Sequence, residues 1–192
     1  EAAGVAVSNF PQLTRAICDR RQGIGADGLE VYSDAAEASG EADASIRLYN
    51  SDGSEAELSG NGTRCVAAYM IHEHGATGPL RIATGAGVKL LDLVERHERR
   101  FVFDMVMGEP SYNEDDIARD LDVGPGTRQV TLVDVGNPQC AVLVRDFAFD
   151  WPRLGQRIET HPRFPAGSNV SFVKMIDRHT MEVRFWERGA GE

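Results

Sequence analysis

The stretch from Leu48 to Gly75 (LYNSDGSEAELSGNGTRCVAAYMIHEHG) limits what this chain can fold into more than any other. It opens as a strand, with Ile46 and Leu48 alternating with Arg47 and Tyr49. It passes through a polar turn, Asn50-Ser51-Asp52-Gly53-Ser54, and reaches Ser59-Gly60-Asn61-Gly62. From Cys65 to Ile71 every residue is apolar. The alanines in that run favour a helix over a strand, and Gly75 is placed to end it. The pattern predicts a central helix over 61–74. Apolar residues around most of its circumference call for burial on all sides. Its first amides, at Ser59 to Asn61, would face a ligand, because an open helix start attracts negative charge. Ordinary turn chemistry with Asn61 as the cap explains the same Gly-Asn-Gly without a ligand. Spacing alone leaves both readings open.

With 192 residues the chain has room for one large domain or two small ones. Its 42% apolar and 26% charged residues are ordinary for a globular protein. Twenty basic against thirty acidic residues give a net charge of −10, which argues against a nucleic-acid partner. Cys18, Cys65 and Cys140 are far apart and lack histidines in ligand spacing, so no metal site is expected and a reducing compartment suits them. No segment approaches a membrane span, and the N-terminus lacks a basic-then-apolar signal. The expectation is a soluble, cytoplasmic protein with no membrane partner.

Phe10 to Arg21 predicts a short amphipathic helix, with Leu13, Ala16, Ile17 and Arg20 on one face and Pro11 near its start. Gly23-Ile24-Gly25-Ala26-Asp27-Gly28 matches a phosphate-binding pattern literally. It follows a helix and leads into the strand Leu29 to Tyr32, the reverse of the order a dinucleotide fingerprint needs, and so reads as a glycine loop. Asp34 to Asp43 reads as a surface loop. Strands are expected at Leu80 to Thr84, Val88 to Val94 and Phe101 to Met107. Gly108 to Gly126 is the expected boundary region, giving halves 1–112 and 113–192. Further strands follow at Val130 to Val135, Cys140 to Val144, Val170 to Met175 and Met181 to Trp186, with a short helix within Asp146 to Arg163. The second half has no apolar helix like the first, so the layer that would cover its sheet is expected to be missing.

Asn50 to Cys65 (NSDGSEAELSGNGTRC) closely resembles the signature of the diaminopimelate epimerase family. Arg20 to Gly28 (RRQGIGADG), Gly136-Asn137-Pro138, Asn169-Val170-Ser171-Phe172 and Glu187 to Glu192 (ERGAGE) match in the same order, across most of the chain. The resemblance implies an α/β (α+β) fold of two similar halves, each a curved, mostly antiparallel sheet around a central helix. It also implies interconversion of LL- and meso-diaminopimelate by two-base transfer of the α-proton, with no pyridoxal phosphate or other cofactor and no metal. Asn50, Asn137, Asn169, Glu187 and Arg188 would then contact an amino-acid substrate. Glu187 would also serve catalysis, and Gly60 and Asn61 would offer amides to the α-carboxylate. A homodimer is left open.

The family's first catalytic cysteine falls on Ser59, whose hydroxyl is far less acidic than a thiol and needs an activating base. Cys65, further along the helix, reads as an inert core thiol. In the family pattern a Thr-x-x-Cys-Gly-x-Gly stretch with the second cysteine and second central helix would follow Glu192. Where the family often has histidine after Gly-Asn-Pro, this chain has Gln139. The chain as written is therefore expected to lack epimerase activity. The alternatives are another cofactor-independent isomerase of the superfamily, such as a proline racemase or phenazine-type isomerase, and a non-catalytic ligand-binding homologue. A nucleotide-binding protein resting on Gly23 to Gly28 is a third.

Overall fold

The computed structural model describes residues 9–34, 40–124 and 126–191; residues 35–39 of the expected surface loop and Glu192 of the last motif lie outside them. The chain forms two units, Glu1–Gly108 and Glu109–Glu192.

In the first unit, helix α1 (Phe10–Cys18) leads through the glycine loop to β1 (Gly28–Asp34), which pairs antiparallel with β2 (Ala44–Asn50). The short β3 (Glu55–Ala56) folds back on β2 before helix α2 (Gly60–Glu73) crosses to β4 (Leu80–Thr84). Strand β4 lies parallel to β2, the pairing that such a crossover requires, and β5 (Gly87–His97) and β6 (Arg100–Val106) complete the sheet as hairpins. Helix α2 covers one face, where Val66, Ala67, Met70 and Ile71 pack on Ala44, Ile46, Leu80, Ile82 and Leu91. Helix α1 covers the other, with Phe10 stacked on Tyr49 at 5.8 Å.

That stacking corrects the expected face of α1. Thr14 and Cys18, four and eight residues after Phe10, roll onto the sheet and are buried, while Ala16 and Arg20 are exposed. The helix also stops at Cys18 and not at Arg21. The Asp19 carboxylate accepts from the backbone N–H of Arg21 and Gln22 (2.7 and 2.8 Å), which turns the chain out of the helix. Those two bonds hold the Asp19 carboxyl below its usual range.

Helix α2 is not enclosed on all sides, contrary to the expectation. The sheet meets one face only, and the face carrying Asn61, Cys65 and Tyr69 is exposed. Cys65 is consequently a surface thiol and not a core one. Its buried counterparts are Cys18 and Cys140, the latter with its thiol pushed up to about 12 by burial.

In the second unit, a single 3-10 turn (Glu114–Asp116) precedes β7 (Arg119–Asp122), β8 (Thr127–Asp134) and β9 (Pro138–Leu143), an antiparallel meander. Helix α3 (Trp151–Glu159) crosses to β10 (Asn169–Met175), parallel to β9, and β11 (Met181–Trp186) closes the edge. Trp151, Leu154 and Ile158 of α3 pack on Val130, Leu132, Cys140, Val142, Val170 and Phe172. The second sheet thus has a covering layer after all, on one face. Alternation along the strands sends Leu143, Met175, Met181 and Phe185 to the opposite side, where they are exposed.

The two units repeat a module. Both α1 and α3 have proline in the first turn, and the same length of sequence separates Ile17 from Gly28 and Ile158 from Asn169. Each helix covers the first strand of an antiparallel pair, β1–β2 or β10–β11. Helix α2 has no counterpart among the described residues of the second unit. No described helix is long and apolar enough to cross a membrane.

Candidate active site

The sequence-selected residues fall into two groups, one in each unit. In the first unit Asn50 ends β2 and closes the turn to Ser54. Its N–H donates to Ser54 O (2.8 Å) and its Nδ2 to Ser54 Oγ (3.0 Å). Gly53 in this turn has φ +83° and lies so near α1 that a Cβ would sit 2.6 Å from Pro11 O, so only glycine fits. The chain then reaches α2, whose N-cap is Ser59 and not Asn61. Ser59 Oγ accepts from Gly62 N at 3.1 Å, while the Asn61 side-chain oxygen accepts from Arg64. The N–H groups of Gly60 and Asn61 precede the first intrahelical donor and form the open end of the helix.

The Gly23–Gly28 loop has spent its amides on its own chain. Gly23 N donates to Asp19 O, Ile24 N and Gly25 N to Ile17 O, and Ala26 N to Cys18 O, at 2.8–3.3 Å. Asp27 O accepts from Ser51 N (3.0 Å), which fixes this loop against the Asn50 turn. The four amides from Gly23 to Ala26 are therefore not free for a phosphate.

Strand β1 contributes a residue that sequence reading passed over. Glu30 sits on the face turned to α2, across from Leu48, where alternation calls for an apolar side chain. Its Oε1 is buried and has no hydrogen-bond partner. The carboxyl occupies the space beside the first turn of α2, since a Cβ on Gly62 would lie 1.5 Å from Oε1. Burial alone raises its pKa from 4.5 to about 7.

In the second unit the structure brings Asn137, Asn169 and Arg188 together. Gln139 Nε2 donates to Asn137 Oδ1 (2.8 Å), Asn169 Nδ2 to Pro138 O (3.5 Å), and Arg188 N to Asn169 Oδ1 (2.9 Å). Glu187 begins a tight turn, its N–H donating to Gly191 O at 2.7 Å and its carbonyl accepting from Gly191 N at 2.8 Å. Glu159, the last residue of α3, was not legible as part of this group. Its two carboxylate oxygens accept from Trp186 Nε1 (2.7 Å) and Gly189 N (2.8 Å), clamping the turn from both sides. Only the packing of α3 beside β11 reveals that role. A cavity of about 350 Å³ opens beside Pro138 and Gln139, walled by Asn113, Asp116, Arg163 and Phe164. Among the described residues no three His, Cys, Asp or Glu side chains converge as a metal cage needs.

A family model described as diaminopimelate epimerase matches residues 2–113 and 131–192. The diaminopimelate epimerase of Pelotomaculum thermopropionicum is 38% identical over 197 residues, covering 96% of this chain and 69% of its own. That of Natranaerobius thermophilus is 36% identical over 213 residues, covering 96% and 71%. A solved structure of a probable proline racemase from Agrobacterium radiobacter superposes with a TM-score of 0.68 at 19% identity, over 91% of this chain and 57% of that one. A phenazine biosynthesis protein of the PhzF family from Bacillus anthracis does so at 0.59 and 18%, over 97% and 64%. These superpositions show the fold, that of proteins built from two similar halves, and this chain spans less than two thirds of either structure. On the family match and the identity to its relatives, the chain belongs to the diaminopimelate epimerase family of isomerases.

Proposed function

We propose that this chain binds the amino-acid end of diaminopimelate and descends from an enzyme that interconverts the LL and meso forms, with Ser59 standing where the family pattern has a thiol base. The observation that carries the reading is the position of Ser59 as N-cap of α2, directly before the open amides of Gly60 and Asn61. A carboxylate held there is stabilised by the helix start, and so is the charge that spreads onto it when the α-proton leaves. Asn50 closes the turn on the same unit. Asn137, Asn169, Glu187 and Arg188 supply amides and opposite charges suited to a zwitterion. The chemistry calls for no cofactor.

The same geometry explains the proposed loss of activity. A hydroxyl lacks the acidity of a thiol, and Ser59 Oγ already serves as acceptor for Gly62 N. Diaminopimelate incubated in D₂O should keep its α-proton in the presence of this protein and exchange it with the Ser59→Cys variant, followed by proton NMR. Equal exchange in both would refute the role given to position 59. The capping bond also favours a second reading, a ligand binder without catalysis. Retained binding with no exchange in the Ser59→Cys variant would select that reading.

A further inference from the structure

We propose that Glu30 must hold its proton for the start of α2 to accept a substrate carboxylate, so that binding at this site is coupled to proton uptake by one half-buried side chain. The inference rests on the reading that α2 receives a carboxylate, and adds the group that regulates it.

The geometry is unusual for a carboxyl. Glu30 points inward from β1, its Oε1 is out of contact with water and bonded to nothing, and it presses on Gly62 in the first turn of α2. Among the described residues no cation is paired with it. Leu48 lies across from it on β2. Arg47 and Tyr49 belong to the opposite face of β2, where Arg47 is held by Glu55 (3.0 Å). Arg64, the first charged residue of α2, bonds Asn61, and His72, Glu73 and His74 lie at the far end of that helix. Tyr32, next on the same face of β1, donates to Asp34. Arg20 pairs with Asp27 in the glycine loop.

An ionised Glu30 would therefore turn to the start of α2, where the open amides and the Arg64 guanidinium, 3.6 Å from the place of a Cβ on Gly60, supply positive potential. It would compete there with any ligand carboxylate, because two carboxylates sharing one site cannot both stay charged cheaply. The titration of Glu30 at about 7 places this competition within the working range of a cell. Reciprocity then requires that a bound carboxylate raise the pKa of Glu30 further and draw a proton from solvent.

Titrating meso-diaminopimelate into this protein and into the Glu30→Gln variant between about pH 5.5 and 8.5 tests the coupling. Calorimetry in two buffers of different ionisation enthalpy counts the protons. The expected result is affinity falling about tenfold per pH unit above about pH 7, with close to one proton taken up per ligand, and neither effect in Glu30→Gln. A second measurement does not depend on that variant folding: the carboxyl ¹³C shift of Glu30 in the unsubstituted protein should titrate at higher pH with diaminopimelate than without. Parallel pH profiles in the two proteins, or a Glu30 carboxyl that ignores the ligand, overturn the coupling alone. No binding by either protein at any pH overturns the carboxylate site as well.

Discussion

The α1–β1–β2 module of the first unit and the α3–β10–β11 module of the second use one scaffold to opposite ends. Register places Asn50 opposite Gly28 at the end of one strand pair. The second pair, Val170 with Trp186, puts Glu187 beside Asn169 in the same way. Beyond that point the units diverge. After Asn50 the chain runs into a long helix whose start is held by one serine and leans on a carboxyl with one oxygen lacking a hydrogen-bond partner. After Glu187 it closes at once into a turn that a carboxylate from α3 clamps with two charge-assisted bonds. Two acidic residues, Glu30 and Glu159, thus meet opposite fates. One holds a buried oxygen without a partner and resists ionisation, while both oxygens of the other accept hydrogen bonds. The lesson is that a repeated backbone fixes where the candidate residues stand, and the electrostatics are set separately in each copy.

Four measurements bear on this contrast, and both tryptophans, Trp151 and Trp186, lie in the second unit, so their fluorescence reports that unit by itself. The largest effect is expected from Phe172→Ala, which empties a fully buried position between Phe149 and Trp151. It should cost about 3–5 kcal/mol in urea unfolding followed by tryptophan emission. The second is the pH response of the first unit. Glu30 titrates near 4.5 when unfolded and at about 7 in the fold, so the fold favours its protonated form. Its contribution is whole below about pH 4.5 and is lost as pH rises through about 7, by about 2–3 kcal/mol in total. Urea unfolding followed by the ring signals of Tyr32 and Tyr69 should show that loss, and Glu30→Gln should flatten it while tryptophan emission stays unchanged.

Glu159→Ala comes third, at about 2 kcal/mol, with Trp186 emission shifted and the amide signals of Arg188 and Gly189 broadened. An unshifted emission would remove the clamp from this account. The smallest effect is at the cap: Ser59→Ala should lower stability by about 1 kcal/mol and Asn61→Ala by far less. The reverse order would return the cap to Asn61.

Much of this was open to reading from the residues. β4 and β8 to β11 follow from alternation alone, within a residue or two at most ends for all but β8. The family signature is what singles out Asn50, Ser59, Asn137, Asn169 and Arg188 as candidates. β7 escaped because only Leu121 of its four residues is buried, which leaves no periodic signal in Arg119-Asp120-Leu121-Asp122. The one-sided burial of α2 escaped because composition says how apolar a run is, and only the sheet says which face it meets. The cap at Ser59 needed backbone angles, since serine and asparagine two residues apart cap equally well on paper. Glu30 and Glu159 depend on contacts between segments distant in the chain, with Gly62 and with Trp186, and nothing local marks them.

The open face of α2 has a practical corollary. Cys65 is the single exposed thiol of three, about 9 Å along the helix axis from Ser59, while Cys18 and Cys140 are shielded. A maleimide-linked fluorophore should therefore label this protein at one place, within a few side chains of the proposed carboxylate seat. Such a tag would report occupancy there directly. The same reactivity means that alkylation of the Ser59→Cys variant is interpretable only when Cys65 has first been replaced by serine.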